Sequence, residues 1–135
     1  MTPELQSAVE NAYLAFASHR LGRRIGFGSR VGTTRAAHEA MLKVLTQTPL
    51  RALPPEAVEA YFEYIAAAYY EGGFDDGEVR YFLPRALDLI AQSAHDTLFI
   101  REYLGRVLER GHARIAWPAA EIEALDRVLG LLAED

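Results

Sequence analysis

Apolar residues recur along this chain at three- and four-residue intervals, the spacing that places them on one face of a helix. Leu5, Val9, Tyr13 and Phe16 form the first stripe, and Pro3 suits a first helical turn. A helix is expected over about Pro3 to His19. From Leu21 to Gly32 the pattern breaks, and Gly22, Gly26, Gly28 and Gly32 read as loop. Thr33 or Thr34 can cap a second helix running to about Thr48, with Ala37, Met41, Val44 and Leu45 as its stripe. Pro55 opens a third helix carrying Val58, Phe62, Ile65 and Tyr69, and Gly72 and Gly73 end it.

Asp75 or Asp76 can cap the next helical segment. Pro84 would cost a helix interior about 3 kcal/mol, so a short turn over Glu78 to Phe82 and a new start or kink at Pro84 are expected. Leu83, Leu87 and Ile90 then face inward. A fifth helix is expected from about Asp96 to Arg110, buried through Leu98, Leu104, Val107 and Leu108 and stopped by Gly111. Trp117-Pro118 opens a last helix with the stripe Ile122, Leu125, Leu129 and Leu132. Trp117 is placed to pack over its first turn as a staple.

No segment alternates apolar and polar residues well enough to predict a strand. The expected fold is one all-α domain over residues 1–135, of about six antiparallel helices. Pro55, Pro84 and Pro118 recur at similar intervals, which leaves open a stack like a short helical-repeat fold.

Composition narrows the chemistry. With 135 residues, half of them apolar, the chain can bury a core without metal or disulfide staples. It has no cysteine, which removes disulfides, thiolate nucleophiles and Cys-containing zinc sites. The net charge of −5 argues against nonspecific binding to nucleic acid or a membrane surface. No apolar run approaches the roughly 20 residues that span a bilayer. No basic segment precedes an apolar run near Met1, so a cytoplasmic protein without a signal peptide is expected.

Four constellations could carry chemistry. The loop from His19 to Arg35 holds five arginines among its glycines. Loop amides before a helix start can hold a phosphate or carboxylate, and arginine adds charge-assisted hydrogen bonds. Arg20, Arg23, Arg24 and Arg30 are the candidate ligand-binding residues. The loop does not fit the Walker spacing, since five residues separate Gly26 from Gly32 and Thr33 follows, nor the dinucleotide pattern, which needs glycine where Val31 stands and a preceding strand. The bland alternative is a solvated loop.

The acidic turn Glu71, Asp75, Asp76 and Glu78 lacks calcium-loop spacing, and helix capping is its simpler reading. His19, His38, His95 and His112 form no i, i+4 pair, and no nucleophile elbow surrounds any serine. No catalytic residue, metal or cofactor is therefore expected. Finally, Tyr61, Phe62, Tyr64, Tyr69, Tyr70, Phe74, Tyr81 and Phe82 crowd 22 residues, more than one helix face can bury. Tyrosine is enriched at interfaces because it offers area and a hydrogen bond at low entropy cost. Tyr64, Tyr70, Phe74, Asp75, Asp76 and Tyr81 are the candidate partner-binding residues.

The phrase Tyr81-Phe82-Leu83-Pro84-Arg85, before the apolar run Ala86-Leu87-Asp88-Leu89, resembles an uncharacterised bacterial all-helical family with an aromatic-Leu-Pro-Arg motif. The likeness extends to Pro49-Leu50-Arg51-Ala52-Leu53 and to Trp117-Pro118 before a Leu-rich helix. Members often place cysteines in the loop after helix one. Phe27, Gly28, Ser29 and Arg30 stand there in this chain, so no metal role carries over. The resemblance implies a helical fold and a bacterial setting, with no activity attached.

The residues then favour a non-enzymatic protein-interaction module, for example an immunity or antitoxin-like protein whose acidic turn meets a basic partner. The alternatives are a small-ligand binder or enzyme that holds a phosphate or carboxylate in the loop of residues 20–35, and a structural homodimer.

Overall fold

Thr2 caps the first helix, its hydroxyl accepting the Leu5 amide at 3.1 Å. The computed structural model describes residues 1–22, 25–28, 33–71, 75–94, 97–108 and 116–134, without the side chains of 69–71 and 106–108. All the regular structure among them is helical. The helices are α1 (Pro3–Ala15), α2 (Arg35–Gln47), α3 (Pro55–Glu71), α4 (Asp76–Ala91), α5 (Leu98–Glu102) and α6 (Ala119–Ala133). A single 3-10 turn, Leu50–Ala52, links α2 to α3.

The stripe of α1 is buried as its spacing predicts: Leu5, Val9, Tyr13 and Phe16 all lie in the core. The helix is one turn shorter than expected. Phe16 is its C-cap, and a tighter turn follows, with the His19 amide donating to the Phe16 carbonyl at 3.2 Å. Thr34 caps α2 through a 3.1 Å bond from the Ala37 amide. That helix buries only Leu45 and lies at the periphery.

Pro84 does not break its helix. Helix α4 runs unbroken from Asp76 to Ala91 with Pro84 inside it. The reason is burial. Phe82, Leu83 and Leu87 are fully buried around the proline. Each contributes roughly 1.5–3 kcal/mol, against about 3 for the proline. Asp75 starts the helix, its carboxylate accepting the Glu78 amide at 3.2 Å.

The fifth helix departs further from expectation. It is α-helical only over Leu98–Glu102 and continues as a π-helical stretch, Tyr103–Leu108, of which Tyr103 and Leu104 lie in the core. Leu98, expected inside, is 72% exposed, and Ile100 is buried instead. Glu59 of α3 caps this helix, accepting the amides of Phe99 and, at 3.1 Å, Ile100.

The first and last helices make the most extensive contact, α1 against α6. Helix α1 also packs on α4, and α3 packs on α5 and α4. Helices α1 and α6, distant in sequence, pack on each other as in a bundle. In a stack of repeats each unit would touch only its neighbours. The consequence for function is local: α1, the 3-10 turn and α4 converge on one groove.

Candidate functional site

The end of α1 is where the molecule opens. Leu14 remains 73% exposed although it lies one residue from buried Tyr13. Opposite it stands the segment Pro49–Leu53, which α4 fixes through Arg85. That guanidinium donates to the Leu53 carbonyl twice, from Nε at 3.1 Å and Nη2 at 2.9 Å. Between these walls lies an open groove of about 420 Å³. Leu14, Phe16, Pro49, Leu50 and Pro84 supply apolar contact, and Tyr13, Tyr81, His19, Arg20 and Arg51 supply the polar edges. No aspartate or glutamate is among the described lining residues. That is notable in a chain of net charge −5.

Tyr13, Arg51, Arg20 and His19 each bond to another group of the chain. The Tyr13 hydroxyl donates to Asp88 Oδ2 at 2.6 Å, and Arg85 Nη1 donates to the same oxygen at 3.0 Å. Burial, then the Asp88 carboxylate, push the Tyr13 phenol far above its usual range, so the ring is a neutral platform. On that platform rests Arg51, its guanidinium 3.9 Å from the ring centroid. Arg51 Nη1 donates to Glu10 at 2.8 Å, and each group favours the other's charged form. Arg20 turns Nη1 back to the carbonyls of Ala17 and His19. Burial raises the half-buried Tyr81 phenol, while the positive charge of Arg20 opposes the rise.

His19 joins the groove to the interior. Its Nε2 lies 3.1 Å from Glu121 Oε1, and Arg80 Nη1 donates to the same oxygen at 3.3 Å. Glu121 is only 3% exposed, and it sits in the first turn of α6, where the helix dipole favours a carboxylate. Arg80 Nε also pairs with Asp76 Oδ2 at 3.0 Å, and the Trp117 indole N–H donates to that oxygen at 2.9 Å. Trp117 packs edge-on against Phe16 at 6.0 Å. It therefore joins α1, α4 and α6.

The candidate partner-binding residues fall into different places. Asp75 is exposed and caps α4, and Asp76 anchors Trp117 and Arg80, so each of these two carboxylates has a partner within the chain. Tyr64 packs on Phe27, with ring centroids 5.9 Å apart, and a Cβ on Gly28 would meet its ring at 3.1 Å. That close approach is what Gly28 permits. Tyr81 lines the groove. The Tyr70 side chain and Phe74 lie outside the described residues, as do Arg23, Arg24 and Arg30. Of the four candidate ligand-binding arginines only Arg20 is described, and it stands in the groove beside Tyr81.

The described part of the glycine loop turns toward the protein. The Gly26 amide donates to both oxygens of Glu78, each at 3.1 Å, and the Tyr61 hydroxyl donates to Glu78 Oε1 at 2.7 Å. Phe27 stacks on His38 at 5.1 Å. An amide that could hold a ligand's anion holds the protein's own carboxylate instead.

Sequence reasoning missed Arg51 and His19 as groove residues. Arg51 sits in the short proline-bounded segment that follows α2. A lone arginine there could have marked an ordered turn presenting a cation. Nothing local in the sequence could pair His19 with Glu121, which is 102 residues away. Among the described residues no cluster could hold a metal ion, and no helix is long and apolar enough to cross a membrane. Comparison with known proteins returns no match to a family model, a curated protein or a solved structure.

Proposed function

We propose that this protein is a non-enzymatic protein-interaction module that docks a partner's short acidic and apolar segment in the groove between α1, the 3-10 turn and α4. The observation that carries the reading is the lining: apolar walls edged by Arg20, Arg51 and His19, with no carboxylate among the described residues. Electrostatic complementarity of this kind selects partners and speeds their encounter more than it adds affinity. Tyr13 and His19 are bonded to Asp88 and Glu121 within the fold, so little ordering of these two side chains remains to oppose binding. The bacterial setting implied by the resemblance, a cytoplasmic location, and an immunity or antitoxin-like role belong to the same proposal. In this form the partner meets the groove rather than the acidic turn, whose described carboxylates are engaged internally.

The test is retention of partners from native extract by the immobilised wild type and by Leu14→Asp and Tyr81→Ala. A stoichiometric protein lost with both variants supports the docking face. One retained equally by all three overturns it. Sedimentation of the pure protein separates a heteromeric module from a homodimer.

A second reading has its own observation. The groove volume falls in the range of small-molecule sites, and Arg20 lies where a carboxylate or phosphate could reach it. Thermal stabilisation by an organic acid that disappears in Arg20→Ala would favour a ligand binder.

A further inference from the structure

One cation of the groove's edge, Arg51, already has a carboxylate partner, and that partner belongs to the chain itself. Arg51 Nη1 meets Glu10 Oε1 at 2.8 Å, with the two side chains 53% and 52% exposed. Everything else about Arg51 is fixed. Its guanidinium lies over Tyr13, and its turn is tied to α4 through Arg85 and the Leu53 carbonyl. Glu10 lies on α1, on the same helix as Leu14 and one turn before it. It is outside the described lining of the groove, yet it holds the charge that the lining presents.

We infer that Glu10 is a built-in competitor that sets the groove's affinity for carboxylates: an incoming acidic side chain of a partner peptide must take Arg51 from Glu10 or share it. This inference rests on the groove being a docking face. The occupant is a peptide segment with Glu or Asp beside apolar residues, because the cationic edge and the apolar walls of Leu14, Pro49 and Leu50 adjoin. Arg51 donates to Glu10 through one nitrogen, whereas arginine can present two parallel donors to a carboxylate. An exposed pair of this kind is weak, so competition is thermodynamically accessible. Both partners being half-exposed, removing the Glu10 charge leaves the fold intact and the cation unopposed.

The experiment uses the full chain and fluorescence anisotropy with a labelled peptide of alternating Glu and Leu, beside its Gln-for-Glu counterpart. Wild type is expected to prefer the acidic peptide. Glu10→Gln should tighten the acidic peptide by about two- to fivefold, the range that a released surface pair allows, and leave the Gln peptide unchanged. Arg51→Ala should abolish the preference, and Leu14→Asp should weaken both peptides. If Leu14→Asp leaves binding intact, or neither peptide binds, the docking reading itself fails. If Leu14→Asp weakens binding but Glu10→Gln does not sharpen the preference, the groove stands and the competitor role is overturned.

Discussion

The acidic turn and the groove carry opposite charges and direct them oppositely. At the turn, Asp76 and Glu78 direct their carboxylates to partners within the fold, and the exposed Asp75 caps its own helix. One caps α4, one holds Trp117 and Arg80, and one ties down Gly26 and Tyr61. At the groove, Arg20 and Arg51 remain at the surface, bonded only to backbone or to a half-exposed partner. A cluster of charge in a sequence is therefore a poor guide to a binding face. What matters is whether the fold supplies internal partners. The turn has them because it begins a helix that packs between its neighbours. In the groove Tyr13 and His19 have them, but Arg20 and Arg51 stand at the open end of α1, where Leu14 is also exposed.

The contrast predicts that turn variants lose stability and groove variants keep it. The largest effect is expected for Asp76→Ala, at about 2–3 kcal/mol in urea unfolding. It leaves the buried Trp117 N–H unpaired and removes one of two carboxylates around Arg80, discounted because Asp76 is partly exposed. A loss below about 0.5 kcal/mol would erase the distinction between the two regions.

Next is Tyr61→Phe, expected to cost about 1–2 kcal/mol at neutral pH through the lost bond to Glu78. The same residue should shape the alkaline limb. Burial, then the Glu78 charge, raise the Tyr61 phenol well above its ordinary value. A raised folded pKa means tighter proton binding in the native state. Its contribution is full below pH of about 10 and is lost as pH rises toward the folded value. Tyr13 and Tyr103 act in the same direction. Unfolding followed above pH of about 10 should therefore show falling stability, with a shallower fall in Tyr61→Phe.

Pro84→Ala sits between the two regions, in the wall of the groove and in the middle of α4. It restores an amide for the Arg80 carbonyl, where the proline costs about 3 kcal/mol. It removes ring methylenes worth about 0.8 kcal/mol each. A net gain of about 1 kcal/mol is expected, read as a raised Tm. The smallest effect belongs to Arg51→Ala, below about 0.5 kcal/mol in stability. A large loss there would make the groove structural, like the turn.

Helix positions were legible where one stripe meets one neighbour. The apolar faces of α1 and α4 are buried residue for residue as their spacing predicts. The break at Pro84 was misread because the local cost of a proline is visible in sequence while the burial that outweighs it is not. Leu98 was misread because it stands six residues before Leu104, off its face, whereas Ile100 stands four before it and shares that face. For the site, the sequence singled out Arg20 and Tyr81 for separate reasons, and the fold brings them into one groove with Arg51. Asp75 was readable as a cap, since its bond spans three residues.

By itself, the sequence determined the helical content, caps at one residue of each pair Thr33/Thr34 and Asp75/Asp76, and the apolar stripes of α1 and α4. These depend on interactions within a few residues, where spacing alone sets geometry. Only the tertiary structure decided which charges face inward. The pairs His19–Glu121, Arg85–Leu53 and Gly26–Glu78 join residues far apart in the chain. Their formation depends on which helices meet, and that is settled by the burial of all the stripes together.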